Sequence, residues 1–274
     1  MNLNKRIKAF LFDIDGTLVN REIKMTDNLK KALMVLKEKG YHLSINTGRP
    51  AFAVENVLNT NSFENDFEYF FCCNGVEKYN VRNKTTDYLA YVSADTIKEL
   101  DKFFNEDYLS LCVYNGADGL LFNHYPHDEY LYQLWCKQRF SKPGLIDFQK
   151  NEKNYPKTVV IFELKRKEDF LKKIENLKND KIDFFLSGVD VMEIVPKGIN
   201  KGRSVLEYSR ILNIDPKEIL CVGDAESDLP ALKKGTGLLL GDDVKCDDEE
   251  IAYHYPSVLE DGLYHFLKDE GFLD

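Results

Sequence analysis

Asp13 and Asp15 stand two residues apart in Asp13-Ile14-Asp15-Gly16-Thr17, directly after an apolar run that ends at Phe12. Where an extended strand breaks into a loop, acids at that spacing can approach one site, and a glycine permits a tight turn close to a ligand. A hard cation such as Mg²⁺ needs oxygen ligands; Asp13, Asp224 and a backbone carbonyl are candidates to supply them. A cation held there would neutralise a phosphate and leave Asp13 free to attack phosphorus. Asp15 would protonate the leaving alkoxide and later activate water. Thr47 offers a hydroxyl donor, in the cluster Thr47-Gly48-Arg49, and Lys201 a point positive charge for phosphate oxygens. Each donor placed where charge develops contributes about 3–4 kcal/mol by analogy with an oxyanion hole. Several are needed, because uncatalysed phosphate-monoester hydrolysis is among the slowest reactions known.

Singly, these residues have ordinary readings. Asp-x-Asp-Gly occurs in common turns, Thr47 reads as a turn residue, Lys201 as a solvated lysine, and Gly223-Asp224 as a helix cap. An EF-hand loop needs Gly at its sixth position and Glu at its twelfth; counted from Asp13 those are Leu18 and Lys24, which excludes it. The joint pattern carries the argument. Asp13–Thr17, Thr47–Arg49, Lys201 and Gly223-Asp224-Ala225-Glu226-Ser227-Asp228 each fall at the end of an expected strand or the start of a helix. In open parallel sheets that edge is where ligands bind, so the four clusters are expected to meet in one crevice.

The elements that would position them follow an α/β rhythm. Residues 7–12 read as a buried strand; Thr26 reads as an N-cap, with Leu29, Ala32, Leu33 and Leu36 on one helical face and Gly40 closing it. Strands over 41–45 and 68–73 flank a helix over 52–58. After Tyr79 the pattern changes to close-set strands (88–93, 109–114, 119–125, 157–164, 182–187 and 190–195) with helices near 128–139 and 166–179. Turns are expected at 115–119 and at Gly188. This predicts an α+β module with antiparallel pairing. A helix over 201–212, a capped turn at Asp215-Pro216-Lys217-Glu218, strands over 219–222 and 237–240 and a helix over 261–268 then restore the α/β pattern. The predicted architecture is a discontinuous parallel-sheet α/β core, residues 1–78 and 197–274, interrupted by an inserted domain over 79–196.

Composition bounds the function. The chain has 274 residues, 43% of them apolar, and 37 Lys plus Arg against 46 Asp plus Glu, for a formal charge of −9. An acidic chain without a basic run lacks the electrostatic footprint of a nucleic-acid binder. No apolar run approaches the roughly 20 residues of a membrane span, and the start Met-Asn-Leu-Asn-Lys-Arg has no apolar signal core. The cysteines at 72, 73, 112, 136, 221 and 246 form no CxxC pair, and Cys72, Cys73 and Cys221 lie in apolar runs. Buried thiols in a reducing cytoplasm are expected. His124 and His127 flank Pro126 with no third metal ligand in view, and Tyr125, Tyr130, Tyr132 and Trp135 read as packing rather than as a substrate wall. Arg49 is open between an ion pair within the core and a substrate contact. Oligomeric state is not legible.

With all four clusters in order, the sequence resembles the haloacid dehalogenase-like superfamily of phosphohydrolases. Its first motif, Asp-x-Asp-Gly-Thr, is matched by 13–17, its second by Thr47, its third by Lys201, and its acidic fourth by Asp224 and Asp228. The family places its cap between motifs one and two or between two and three. The first interval is filled by one helix and one strand, so the cap belongs in the second. With Thr47-Gly48-Arg49-Pro50, Cys73-Asn74-Gly75 and Glu193-Ile194-Val195-Pro196, this is similar to the Cof-type subfamily, whose α/β cap is of the C2B kind. The resemblance implies a Mg²⁺-dependent phosphatase of small phosphorylated metabolites, often sugar phosphates. Asp13 would be nucleophile and ligand, Asp15 acid/base and carbonyl ligand, and Asp224 the second carboxylate ligand. Asp228 would support them from behind, and Thr47, Gly48, Lys201 and Ser227 would bind phosphate. Ser227 stands where the subfamily usually has Asn and reaches less far, and the stretch 240–245 also departs from the usual apolar, Asn-containing sequence. A phosphomutase on the same scaffold and a non-catalytic phosphate-ligand sensor are the competing readings.

Overall fold

A computed structural model of the chain describes residues 2–63, 65–115, 119–138, 143–177, 179–187, 189–242, 244 and 251–274. In chain order they form α1 (Leu3–Arg6), β1 (Ala9–Phe12), α2 (Asp27–Glu38), β2 (His42–Asn46), α3 (Ala51–Asn61), β3 (Tyr69–Cys72), β4 (Glu77–Asn80) and β5 (Thr85–Tyr88). Then follow α4 (Ala94–Phe103), β6 (Leu109–Tyr114), β7 (Leu120–Phe122), α5 (Glu129–Tyr132), β8 (Gly144–Leu145), β9 (Thr158–Phe162), α6 (Lys167–Ile174), β10 (Ile182–Leu186) and β11 (Val191–Pro196). The chain closes with α7 (Lys201–Leu212), β12 (Ile219–Gly223), α8 (Leu229–Lys234), β13 (Thr236–Leu240), β14 (Tyr253–Tyr255) and α9 (Gly262–Asp269).

These elements make two compact units, Met1–Leu89 with Asn200–Asp274, and Ala90–Ile199. The first is an eight-stranded sheet in the order β14-β13-β12-β1-β2-β3-β4-β5. All pairs from β14 to β3 are parallel, and β4 and β5 add an antiparallel hairpin. β1 and β12 are buried along their whole length, as a central strand covered on both faces must be. Thr26 caps α2 by accepting from the Leu29 amide, and the four apolar residues assigned to its inner face are buried. Val205 and Tyr208 of α7 pack with Leu11, Phe71 and Cys221 of the sheet.

The first boundary lies eleven residues later than the expected break after 78, and the second falls after Ile199 rather than 196. The reason is the β4–β5 hairpin. Its strands, Glu-Lys-Tyr-Asn and Thr-Thr-Asp-Tyr, each hold one tyrosine among polar residues, so they carry no apolar alternation for a sequence reading to find. The exposed polar residues of β5 suit its place at the sheet edge.

The second unit is a six-stranded sheet, β10-β11-β9-β6-β7-β8, antiparallel except where β7 meets β8. Alternate residues of β6, β9 and β11 (Leu109, Leu111, Val160, Phe162, Met192, Ile194) turn one face into a core shared with Ile97 and Leu100 of α4 and Phe170 of α6. Helix α4 is absent from the sequence reading, although Ser93 caps it by accepting from the Thr96 amide and Ile97 and Leu100 share its inner face. The expected helix over 128–139 is a single α-turn passing into a π-helical stretch over Gln133–Gln138. That over 166–179 ends at Ile174. Residues 116–118, Gly188, Cys246 and, in the unusual 240–245 stretch, Asp243 and Lys245 lie outside the described residues. The five described cysteines are buried, and no helix among the described residues is long and apolar enough to cross a membrane.

Phe170 is fully buried and stacks on Phe162 with ring centroids 4.2 Å apart. Phe170→Ala is expected to destabilise this unit by about 3–5 kcal/mol. Trp135, the chain's one tryptophan and buried in the same unit, reports the change as a lower urea midpoint in fluorescence. A loss below about 1 kcal/mol would count against the ring pair as a centre of packing.

Candidate active site

β1 lies between β2 and β12, with Phe12 opposite Ile45 on one side and Val222 on the other. The residues just past those three positions therefore converge at one edge: Asp13 and Asp15 after β1, Thr47–Arg49 after β2, Asp224 after β12. The loops extend the ladder before turning away, since the Asp13 amide donates to Val222 O and the Thr47 amide to Phe71 O, each at 2.9 Å. Past Asp13 the chain wraps around the Ile14 carbonyl, which accepts from the amides of Thr17, Leu18 and Val19. Gly16 takes φ +82° in this turn, and a Cβ there would lie 1.9 Å from Asp224 Oδ2. Thr17, fully buried, donates from Oγ1 to Asp224 Oδ1 at 3.1 Å. Gly223 is equally constrained, because a Cβ would lie 2.3 Å from Asp228 Cγ.

Lys201 opens α7 and is 3% exposed. Its Nζ donates to Asp13 Oδ1 at 2.7 Å and to Asp228 Oδ1 at 2.6 Å. Asp228 Oδ2 accepts from the amides of Asp224 and Ala225, at 3.2 and 3.1 Å. Burial pushes the Asp13 carboxyl up to about 8 against the pull of Lys201, with Asp228 and Asp15 adding to the rise. Burial and the neighbouring Asp228 push Asp224 up to about 6, against its hydrogen bond from Thr17. Burial alone would pull the Lys201 ammonium down, yet the two carboxylates it bridges hold it above its ordinary value. One lysine faces three carboxylates, which leaves an excess of negative charge.

Of the residues singled out from sequence, Asp13, Asp224, Asp228 and Lys201 come together. Thr47 is buried at the same edge, and its Oγ1 accepts from the Arg49 amide at 3.2 Å. Gly48 follows it, packed so that a Cβ would meet the Asn74 side chain at 3.4 Å. Ser227 is exposed on the turn over Glu226–Asp228. Asp15 is turned outward, half exposed, and gripped by both ends of the Arg49 guanidinium: Nε to Oδ2 at 2.6 Å and NH2 to Oδ1 at 2.5 Å. The sequence left Arg49 open; in the structure it holds the second acid. Asn46, whose side chain donates to the Lys201 carbonyl at 3.1 Å, was passed over. It looks like one more strand residue, and its partner is 155 positions away.

The donor set fits a hard divalent cation. Ligand oxygens of Asp13, Asp224 and Asp228 lie within 4.8 Å of one another. Both Asp228 oxygens are already engaged by Lys201 and the two amides, whereas Asp13 Oδ2 and Asp224 Oδ2 accept no hydrogen bond from the described residues. Those two oxygens are the ones placed to bind a cation, with Asp228 behind them.

A family model described as haloacid dehalogenase-like hydrolase matches residues 10–267. The chain is 23% identical to the HMP-PP phosphatase of Yersinia enterocolitica over 89% of its own length and 92% of that protein's. It is also 23% identical to the 5-amino-6-(5-phospho-D-ribitylamino)uracil phosphatase YitU of Bacillus subtilis, over 94% and 95%. Among solved structures, the subclass IIB sugar phosphatase BT4131 superposes with a TM-score of 0.78 at 21% identity, covering 96% of this chain and 99% of that one.

With Asp13 and Asp224 raised to about 8 and about 6 in the metal-free protein, both hold protons at acidic pH, and a cation must displace them. Mg²⁺ affinity, measured by calorimetry in buffers of differing ionisation heat, is therefore expected to strengthen as pH rises from 5 to 8, with proton release on binding. Affinity that stays flat over this range would remove these two carboxylates as the ligands.

Proposed function

The chain belongs to the haloacid dehalogenase-like hydrolases, and from that premise we propose that it hydrolyses phosphomonoesters of small metabolites, sugar phosphates or similar compounds, with Asp13 as nucleophile. The observation that carries the reading is the buried Asp13 carboxylate, held by Lys201 at 2.7 Å beside Asp224 and Asp228. Asp13 and Asp224, joined by the Asp15 backbone carbonyl, would hold Mg²⁺. When bound, the ion supplies the positive charge that lets a phosphate dianion approach these acids.

The rest follows from the chain's own groups. Lys201 fixes the Asp13 carboxylate through Oδ1, and the carboxylate oxygen that does not hold the cation would attack phosphorus. As that bond forms, the bond from phosphorus to the alkoxide breaks, and the alkoxide takes a proton from Asp15. Water then attacks the phosphorus of the aspartyl-phosphate and gives its proton to the Asp15 carboxylate. Asp13 leaves as a carboxylate and inorganic phosphate is freed. Thr47, the Gly48 backbone and Ser227 would receive phosphate oxygens. Arg49 fixes the carboxylate of Asp15 in one orientation between the two steps. The unit Ala90–Ile199 is the cap, and buried cysteines fit a cytoplasmic setting. The relatives named above act on chemically different small phosphates, which supports the class of substrate rather than one member of it.

Asp13→Asn is expected to abolish phosphate release and acid-stable labelling of the protein by a ³²P-phosphomonoester, with the circular dichroism spectrum unchanged; retained turnover would rule Asp13 out. Conversion of a sugar phosphate to its isomer without phosphate release would point instead to a mutase. Asp15→Asn separates the two acids. Removing a positioned general acid or base costs about 10²–10⁴-fold, and the loss is expected to be larger for an alkyl phosphate than for p-nitrophenyl phosphate, whose leaving group needs no proton. Equal losses for both substrates would argue against Asp15 as the acid.

A further inference from the structure

Lys201 is gripped at its ammonium by two carboxylates, and a further contact reaches its backbone. Asn46, the last residue of β2 and 3% exposed, donates from Nδ2 to the Lys201 carbonyl oxygen at 3.1 Å. Its Oδ1 is buried and has no hydrogen-bond partner among the described residues. An orphaned buried acceptor costs stability that an apolar side chain of the same size would avoid. Leu43 and Ile45, in the same strand, are such side chains. The amide is therefore a net burden on the strand unless its Nδ2 bond does something a leucine cannot.

What that bond does follows from where its ends lie. Asn46 precedes Thr47, and Asn46 itself is registered against Phe71 in β3, so its backbone is fixed by the sheet. Lys201 is the first residue of α7, whose opening turn is capped on its other side by Asn200, accepting from the Gly202 amide at 3.0 Å. A helix start can shift along its axis while its cap travels with it. A side chain rooted in the sheet cannot travel. Asn46 ties the turn that carries Lys201 to the strand end that carries Thr47, and so sets how far the ammonium stands from Asp13, which the same sheet holds.

We propose that Asn46 is a positioning residue for Lys201, acting through its carbonyl and without touching substrate; the kinetic form of this inference rests on the phosphatase reading. The test is a double-mutant cycle in the full chain with p-nitrophenyl phosphate and Mg²⁺. Asn46→Leu, which keeps the volume and removes the donor, is expected to lower kcat/KM about tenfold in the wild-type background and less than about twofold when Lys201 is already alanine. Asn46→Ala, which also removes the donor, is expected to match it and stands in should the leucine variant fail to fold. Equal losses in both backgrounds, or no loss in either variant, would overturn the proposal. A wild-type chain without turnover would overturn the phosphatase reading alone. The Lys201 Nζ resonance in ¹H–¹⁵N spectra then decides the positioning role: a change in its shift or exchange rate in the Asn46 variants supports it, and an unmoved signal overturns it.

Discussion

One buried lysine between two buried carboxylates governs the core of this protein. Lys201 Nζ is 2.7 Å from Asp13 and 2.6 Å from Asp228, and all three residues are at most 5% exposed. Removing one partner of a buried ion pair costs about 3–5 kcal/mol, because the other charge is left without water or counter-charge. The three groups therefore hold one another in place, and each belongs to a different part of the chain: Asp13 follows β1, Lys201 opens α7, Asp228 precedes α8. Their backbone surroundings are shaped to suit. Asp228 also receives two amides of the 223–225 turn, and Gly223 has no Cβ because that carboxylate occupies the space. The same arrangement leaves the cluster short of positive charge. Burial and mutual repulsion raise Asp13 and Asp224 together, and a divalent cation is the natural complement.

Sheet topology explains why residues so distant in sequence meet there. The chain lays down β1, β2 and β3 in one direction, then returns to place β12 on the other side of β1. The crevice at such a reversal opens at the carboxyl ends of the central strands, and Asp13, Thr47 and Asp224 follow those three ends. An inserted unit of more than a hundred residues between β5 and α7 does not disturb this, because α7 returns to the same face, where Tyr208 and Val205 pack on Leu11 and Phe71.

The acids, Thr47 and Lys201 were legible in the sequence because each follows a strand or opens a helix whose apolar pattern is strong. The parallel core was legible for the same reason: β1 and β12 are apolar runs with abrupt polar ends, and Leu43 and Ile45 alternate along β2. The hairpin of β4 and β5 was not, because each of its strands holds one tyrosine among polar residues and shows no apolar alternation. Helix α4 carries a serine cap and a clear inner face, but it lies between the expected strands 88–93 and 109–114, in a stretch to which the sequence reading assigns no element. The contacts of Asn46 and Arg49 belong to another class. Their partners are set by which strand ends adjoin, so an amide and a guanidinium that look generic in the chain acquire their meaning only when β1, β2 and α7 are side by side.

The separation of Asp13 from Asp15 draws these strands together. Successive side chains of an extended segment point to opposite sides, so residues two apart would share a side if the strand continued. It does not continue: the turn around the Ile14 carbonyl breaks it, and Gly16 at φ +82° makes the turn possible. Asp13 is consequently left inside, desolvated and fixed by an ammonium that offers a point charge. Asp15 is carried outside, to a guanidinium whose planar fork takes both of its oxygens. A nucleophile needs a fixed oxygen in a dry site, and an acid that must also serve as a base needs access to the leaving group and to water. For the roles proposed for Asp13 and Asp15, one five-residue loop would meet both requirements, by giving two identical side chains opposite surroundings.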